Sequence, residues 1–379
     1  MFRRKALSAA LLTLDDLRRY AVARTLFAPT TLARAIEQLG FVQADPIRAP
    51  ARAQDLILRL RVRNYRAGDL ERRYARLGIE EDFFVNYGFL PRSVQVLMHP
   101  RVPRKRWSPT RRKRAQAILE FLQQHGALHP RKIDAHFAHG KVANYWGGSS
   151  NATTHLLDAM HYRSMLRVVK RVNGTRIYAA HSYPAPPMPH AEENSPLDAL
   201  IDVIAKTYAP LPVRSFHKLV RLLGVGAPQW RDELTPALRR AKARLGHAKV
   251  ADIDWYWPAG EDPLSFRAPS DSVVRLLAPF DPIVWDRERF ETFWRWAYRF
   301  EAYTPPVKRK LGYYALPLLW QDRIIGWGNL RVENEKLVAA FGYVAGKAPK
   351  DGTFKRALGE ELERMRLFLS LTTSGAARP

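Results

Sequence analysis

Gln43 and Asp45 stand two residues apart in the run Gly40-Phe41-Val42-Gln43-Ala44-Asp45-Pro46-Ile47-Arg48. Phe41-Val42 opens an apolar run suited to a strand, and Pro46 ends it by removing a backbone donor. Residues two apart on a strand share a face, so a neutral amide and a carboxylate would be aimed at one spot. Arg48, Arg52, Arg59, Arg61, Arg63 and Arg66 follow and supply a dense positive field. A carboxylate at the floor of a basic surface suits chemistry on a polyanion. The plainer reading is structural: Gln43 and Asp45 cap a loop, and Asp45 pairs with an arginine.

The composition narrows the partner. The chain has 379 residues, 46% of them hydrophobic, enough for a sizeable core and several domains. Lys plus Arg number 62 against 36 Asp plus Glu, a net charge of +26. That excess must lie on a surface, and nucleic acid is its natural partner, with an anionic membrane second. The absence of cysteine excludes disulfides, zinc-thiolate sites and a cysteine nucleophile. Met1-Phe2-Arg3-Arg4-Lys5 has the charged start of a signal peptide. The apolar run after it is short, however, and meets Asp15-Asp16 without a cleavage site. No apolar segment of 18 residues exists, and a soluble cytoplasmic monomer, nucleoid-associated when on DNA, is the expectation.

The elements around Gln43 and Asp45 read as helices. Thr13 with Asp15-Asp16 starts one, Thr30 or Thr31 starts a second that Gly40 stops, and residues 51–60 form a third. Asp82 to Leu90 reads as one buried strand. A basic connector follows, Arg101, Arg104, Lys105 and Arg106 and then Arg111-Arg112-Lys113-Arg114, and the prolines at 100, 103 and 109 keep its first part extended.

From 113 to 180 the pattern is sharper. Helices are predicted over 115–124, 130–137 and 151–163, the last capped by Asn151 or Ser150. Two β-rich runs then flank Asn173-Gly174, a strong hairpin signal because both turn positions need positive φ. Three helices and a hairpin make a winged helix, a helix-turn-helix variant. Its basic wing nominates Arg163, Arg167, Lys170 and Arg171 as DNA contacts, beside Arg48 and Arg52. The same order recurs after the Pro184–Pro189 linker, with helices over 197–208, 213–223 and 233–245 and a candidate wing at 250–257. The expected fold is mainly α with β wings: tandem winged-helix units over 1–108, 109–183 and 184–265. A C-terminal α+β domain over 266–379 follows, with three antiparallel strands and a closing helix. Lys308, Arg309 and Lys310 there are further candidate DNA contacts. On a strand, Tyr313 and Tyr314 would face opposite ways.

One long stretch identifies a family resemblance. Leu277-Ala278-Pro279-Phe280-Asp281-Pro282-Ile283-Val284-Trp285-Asp286-Arg287, with Tyr298-Arg299-Phe300-Glu301-Ala302-Tyr303-Thr304-Pro305, Lys308-Arg309 and Gly312-Tyr313, resembles the YcaQ/AlkZ family of crosslink-repair DNA glycosylases. Gln43-Ala44-Asp45 resembles that family's catalytic Gln-apolar-Asp motif. The resemblance implies winged helices in a C shape around a basic channel for double-stranded DNA. It also implies excision of N7-alkylated purines and unhooking of N7-linked interstrand crosslinks. Gln43 and Asp45 are then the catalytic pair. Phe84-Val85-Asn86-Tyr87 stands where YcaQ-like proteins carry Trp-x-His-Glu.

The chemistry is self-consistent. An N7-alkylated purine is cationic and leaves without a general acid, so one carboxylate suffices to stabilise an oxocarbenium-like sugar and activate water. No cofactor or metal is needed. His125, His129, His136 and His139 lack carboxylates at ligand spacing, and Gly224-Val225-Gly226 lacks the rest of a dinucleotide loop. The competing function is a winged-helix regulator that binds DNA without catalysis.

Overall fold

The computed structural model describes residues 12–102, 106–143, 148–181, 195–266 and 273–371. The signal-like start, Arg104, Lys105 and the Pro184–Pro189 linker lie outside them.

The first third begins with α1 (Leu14–Thr25). The Thr13 hydroxyl accepts the Asp16 N–H at 3.1 Å while Asp16 accepts the Thr13 N–H at 3.0 Å, a reciprocal cap. Helix α2 (Leu32–Leu39) is capped by Thr31 and stopped by Gly40, whose φ of 76° favours glycine. Strand β1 (Val42–Gln43) is only two residues long, so Gln43 and Asp45 do not share a strand face. Beyond it the Ala44 N–H still reaches Tyr87 O at 3.0 Å, but Asp45 turns back to accept the Ile47 N–H at 2.9 Å. Such an aspartate turn before and across a proline competes with strand pairing. Helices α3 (Ala53–Leu58) and α4 (Asp69–Arg73) follow.

The run expected as one strand from Asp82 to Leu90 is instead a hairpin, β2 (Ile79–Phe83) and β3 (Tyr87–Pro91), turning through Phe84-Val85-Asn86. The apolar Phe84 and Val85 hide that turn in the sequence, because they are buried in the core and not exposed as turn residues usually are. The sheet order is β1-β3-β2, and Gln43 pairs with Gly88. A short α5 (Arg92–Gln95) closes the segment.

The basic connector is not extended throughout. Ser108 caps α6 (Pro109–His125), and Pro109 at its first position puts Arg111 to Arg114 into helix. Helix α7 (Pro130–Phe137), the short strands β4 (Lys141–Ala143) and β5 (Ser149–Asn151), and α8 (Ala152–Tyr162) follow, with Asn151 accepting the Thr154 N–H at 2.8 Å. The hairpin β6 (Leu166–Val172) and β7 (Thr175–Ala180) turns at Asn173 (φ 50°) and Gly174 (φ 82°), as the dipeptide predicts.

The order helices-then-hairpin returns in α9 (Pro196–Tyr208), β8 (Leu211–Pro212), α10 (Val213–Gly226), α11 (Leu234–Arg244), β9 (Gly246–Val250) and β10 (Ile253–Trp257). Here Ala251 and Asp252 take positive φ, a turn whose first residue gives no sequence signal, so the predicted wing was only its second strand.

In the C-terminal part, β11 (Val274–Leu276) precedes α12 (Pro282–Trp285) and α13 (Arg287–Trp294). Helix α13 stops four residues before Tyr298, because Arg295 turns left-handed. Strands β12 (Leu316–Trp320), β13 (Arg323–Glu333) and β14 (Lys336–Tyr343) join β11 in one antiparallel sheet, and α14 (Gly352–Phe368) closes it.

Among the described residues, one core is drawn almost wholly from a single stretch, 115–180, with Ile118, Leu157, Met160 and Leu166 at its centre. The other cores cross the chain. Val42, Ile57 and Phe89 pack with Leu276, Leu316 and Phe354 from the C-terminal sheet and helix. Phe41, Phe84 and Leu90 pack with Ile204 and Phe216. The Gln43 strand is therefore held between partners more than a hundred residues downstream.

Candidate active site

Gln43 is 6% exposed and Asp45 8% exposed. The Gln43 side-chain oxygen accepts the Trp285 indole N–H at 2.9 Å. An indole can only donate, so this contact fixes which end of the amide is oxygen and leaves its NH2 donors for the site. Trp285 is itself held, with Tyr208 at 5.2 Å and the Lys218 ammonium 5.5 Å from its ring.

The signature stretch around Trp285 explains its own length. Asp281 caps α12 through the Ile283 N–H at 3.1 Å. Its carboxylate also takes both Arg61 Nη atoms, at 2.8 and 3.0 Å, in a pair with both side chains fully buried. Such a bidentate pair sets orientation as well as attraction. Arg61 in turn donates to Thr25 O and Ile57 O. The pair thus ties α12, and with it Trp285, to the segment that carries Gln43. Arg287 is stacked over Tyr298 at 4.5 Å and donates to Pro279 O at 2.9 Å.

Asp45 has a different neighbourhood. Its backbone N–H donates to Gln54 Oε1 at 3.2 Å, and one carboxylate oxygen accepts the Ile47 N–H. No arginine or lysine of the described residues pairs with it. Of the structural reading, the loop cap holds for Asp45, through the Ile47 N–H, and the ion pair does not. Burial pushes its carboxyl above the ordinary aspartate range, only partly offset by the Ile47 N–H.

The arginines that follow are largely spoken for. Arg59 pairs with Glu361 at 2.6 Å, Arg61 with Asp281, Arg52 with Glu71, and Arg66 donates to Leu367 O. Arg48 and Arg63 remain exposed. On the wing, Arg167 pairs with Glu80 at 2.7 Å, and Arg171 donates to Glu81 through Nε at 2.8 Å. Arg52 lies against Gly174 at the wing's turn. The β6–β7 hairpin is therefore docked on the first third of the chain, and Lys170 is its exposed cation. Arg163 lies over the Trp107 ring at 4.2 Å. Lys308 and Lys310 are exposed, and Arg309 stacks over Tyr313 at 5.0 Å. His125 and His136 stack on Phe121, and His139 on Phe137.

Residues 36–368 match the family described as DNA glycosylase AlkZ-like. The chain belongs to the AlkZ-like DNA glycosylase family. It is a DNA-repair enzyme that hydrolyses N-glycosyl bonds. The glycosylase also has the fold of the Streptomyces sahachiroi DNA glycosylase AlkZ, with a TM-score of 0.62 over 95% of this chain and 97% of that one, at 13% identity. No helix among the described residues of the glycosylase is long and apolar enough to cross a membrane. Spacing had nominated Gln43 and Asp45 but not Trp285, whose tie to Gln43 spans 242 positions. The signal that could have found it was its place inside the family signature.

Proposed function

We propose that this glycosylase releases N7-alkylated purines from double-stranded DNA and unhooks N7-linked interstrand crosslinks, acting as a monomer without a cofactor. The observation that carries the assignment of residues is that Asp45, two positions from Gln43, is buried and has no cation among the described residues to neutralise it. A desolvated carboxylate is poorly stabilised as an anion, so a developing oxocarbenium next to it gains more than it would in water. Its raised pKa also makes it a better proton acceptor.

In the reaction, the sugar–N9 bond breaks and its electron pair moves into the purine ring, cancelling the charge that N7 alkylation imposed. The Gln43 NH2 holds a water by its oxygen. That oxygen forms the new bond to the sugar C1′, and the water's proton passes to Asp45. The products are free modified base and an abasic sugar in an unbroken strand. The helix-and-hairpin units are winged helices in this reading. Arg48, Lys170, Lys308 and Lys310 are the exposed cations best able to meet phosphates.

The test is single-turnover release from a duplex carrying one N7-methylguanine, read as alkali-labile breaks, for the wild type and Asp45→Asn. Release by the wild type that collapses in the variant supports the assignment. Duplex binding without release from either this substrate or an N7-linked crosslink would sink it and leave a DNA-binding protein.

A further inference from the structure

Five tyrosines of this protein donate to protein acceptors. Tyr20 donates to Glu261 at 2.6 Å, Tyr65 to Asp55 at 2.7 Å, Tyr87 to Glu81 at 2.7 Å, Tyr178 to Asp158 at 2.8 Å and Tyr298 to Ala315 O at 2.7 Å. Tyr314 differs. It is 2% exposed, yet its hydroxyl has no hydrogen-bond partner among the described residues. A buried donor left unmade costs stability that phenylalanine would spare, so its presence calls for a reason.

Its position supplies one. Tyr314 sits just before β12 in the core that also holds Val42, with Ala44 and Ile47, the residues flanking Asp45, packed against the same cluster. Phe300 packs against its ring edge-on at 5.2 Å and 86°. Burial first and then the negative charge of Asp45 raise the hydroxyl's pKa, so it stays protonated and able to donate. The cation among the groups that act on it is Arg287, which opposes the rise. Asp45 meanwhile has one oxygen engaged by Ile47 and its other oxygen without a hydrogen-bond donor among the described residues.

We infer that Tyr314 is a positioning residue of the active site, whose hydroxyl donates to the free oxygen of Asp45 once a substrate occupies the site. This rests on the proposed role of Asp45. The C-terminal sheet thereby contributes to the carboxylate at which the water is deprotonated. A donor to the charged form also keeps Asp45 ionised in the closed site, against the pull of burial. No other group of the described residues engages the hydroxyl, so donating to Asp45 breaks no bond within the protein.

The variant is Tyr314→Phe, which keeps the ring and its packing. Base release from an N7-methylguanine duplex is followed under single turnover from pH 5 to 9, with thermal unfolding alongside. The expected result is a rate about 10-fold lower near neutral pH with duplex affinity retained. The acid limb of the profile should move to higher pH, because Asp45 loses a donor that favours its ionised form. The melting temperature should be unchanged or higher, since no bond is lost in the empty enzyme. A merely structural tyrosine would lower the melting temperature or scale the rate equally at every pH, and either result overturns the inference. So does a wild-type profile in the variant. A wild type that releases no base fails earlier and strikes the role of Asp45 itself, so the two failures are separable.

Discussion

Asp45 and Asp82 are both buried aspartates, and their surroundings are opposite. Asp82 accepts from Arg101 at 2.8 Å, from the Phe83 N–H at 2.7 Å and from Gln95 at 3.0 Å, with His99 at 2.8 Å. Its neighbours on β2 are equally engaged: Glu80 by Arg92 and Arg167, Glu81 by Arg171, Arg176 and Tyr87. These three consecutive carboxylates pin the β6–β7 wing and the chain near Arg101 to β2. Asp45 accepts one backbone N–H and no cation. A buried carboxylate with its charge compensated is a structural fixture. Asp45 is left uncompensated in a strongly basic protein, and under the proposed mechanism its charge is kept for a substrate.

The largest expected effect tests the uncompensated partner. Asp45→Asn should lower base release by about 1,000-fold or more, in the range of a lost charge-stabilising group. It should leave the melting temperature unchanged or raised, because burial already disfavours that charge. A large loss of stability would place Asp45 with Asp82 and erase the contrast. Asp82→Asn should do the reverse. It leaves Arg101 buried without its counter-charge and should cost about 3–5 kcal/mol of stability by denaturant titration. The rate per folded molecule should change far less than in Asp45→Asn.

Acid sharpens the same comparison. Burial alone would raise Glu81, but hydrogen bonding and charge from Arg171, with Arg176 and Tyr87, outweigh it and hold the carboxyl at about 2. A depressed pKa contributes stability that is complete above the ordinary value of 4.5 and is lost as pH falls toward 2. The gap is worth on the order of 3 kcal/mol. Circular dichroism from pH 7 to 2 should show unfolding start in that window, and Glu81→Gln should flatten it. Asp45, with its pKa raised, has the opposite sign, and its substitution should not flatten the acid transition.

A smaller effect lies at Gln43. Trp285→Phe keeps an aromatic ring but frees the amide to rotate, and should lower single-turnover release by about 10-fold with little change in duplex affinity. Smaller still is Gly88→Ala. A Cβ there would strike Val42 O and come within 2.7 Å of the Phe41 ring, moving β1. A destabilisation of about 1–3 kcal/mol, read by thermal melts, is expected.

Local signals were legible because their causes are local. Thr13 and Asn151 cap helices, Gly40 ends one, and Asn173-Gly174 turns a hairpin, all through groups within four residues of one another. Tyr313 and Tyr314 differ in exposure, 44% against 2%, but they lie in a turn before β12 and not on the strand that alternation assumed. The hairpin through Phe84-Val85-Asn86 was not legible, since apolar residues that normally argue for a continuous strand are buried there by α9 and α10. The wing's docking was hidden for a related reason. Arg167 and Arg171 look in sequence like groups for phosphate, and nothing local says that Glu80 and Glu81 have claimed them.

The sequence by itself determined most of the helices, the Asn173-Gly174 hairpin, the cationic surplus, the Gln43-Ala44-Asp45 motif and the family, because propensity, capping, composition and motif are properties of short stretches. Tertiary structure alone decided which charges cancel. Asp281 was matched to Arg61, Glu361 to Arg59, and the β2 carboxylates to the wing, while Asp45 was left without a cation and Trp285 was brought to Gln43. Desolvation and charge pairing depend on what the fold packs around a group, and those neighbours here come from tens to hundreds of residues away.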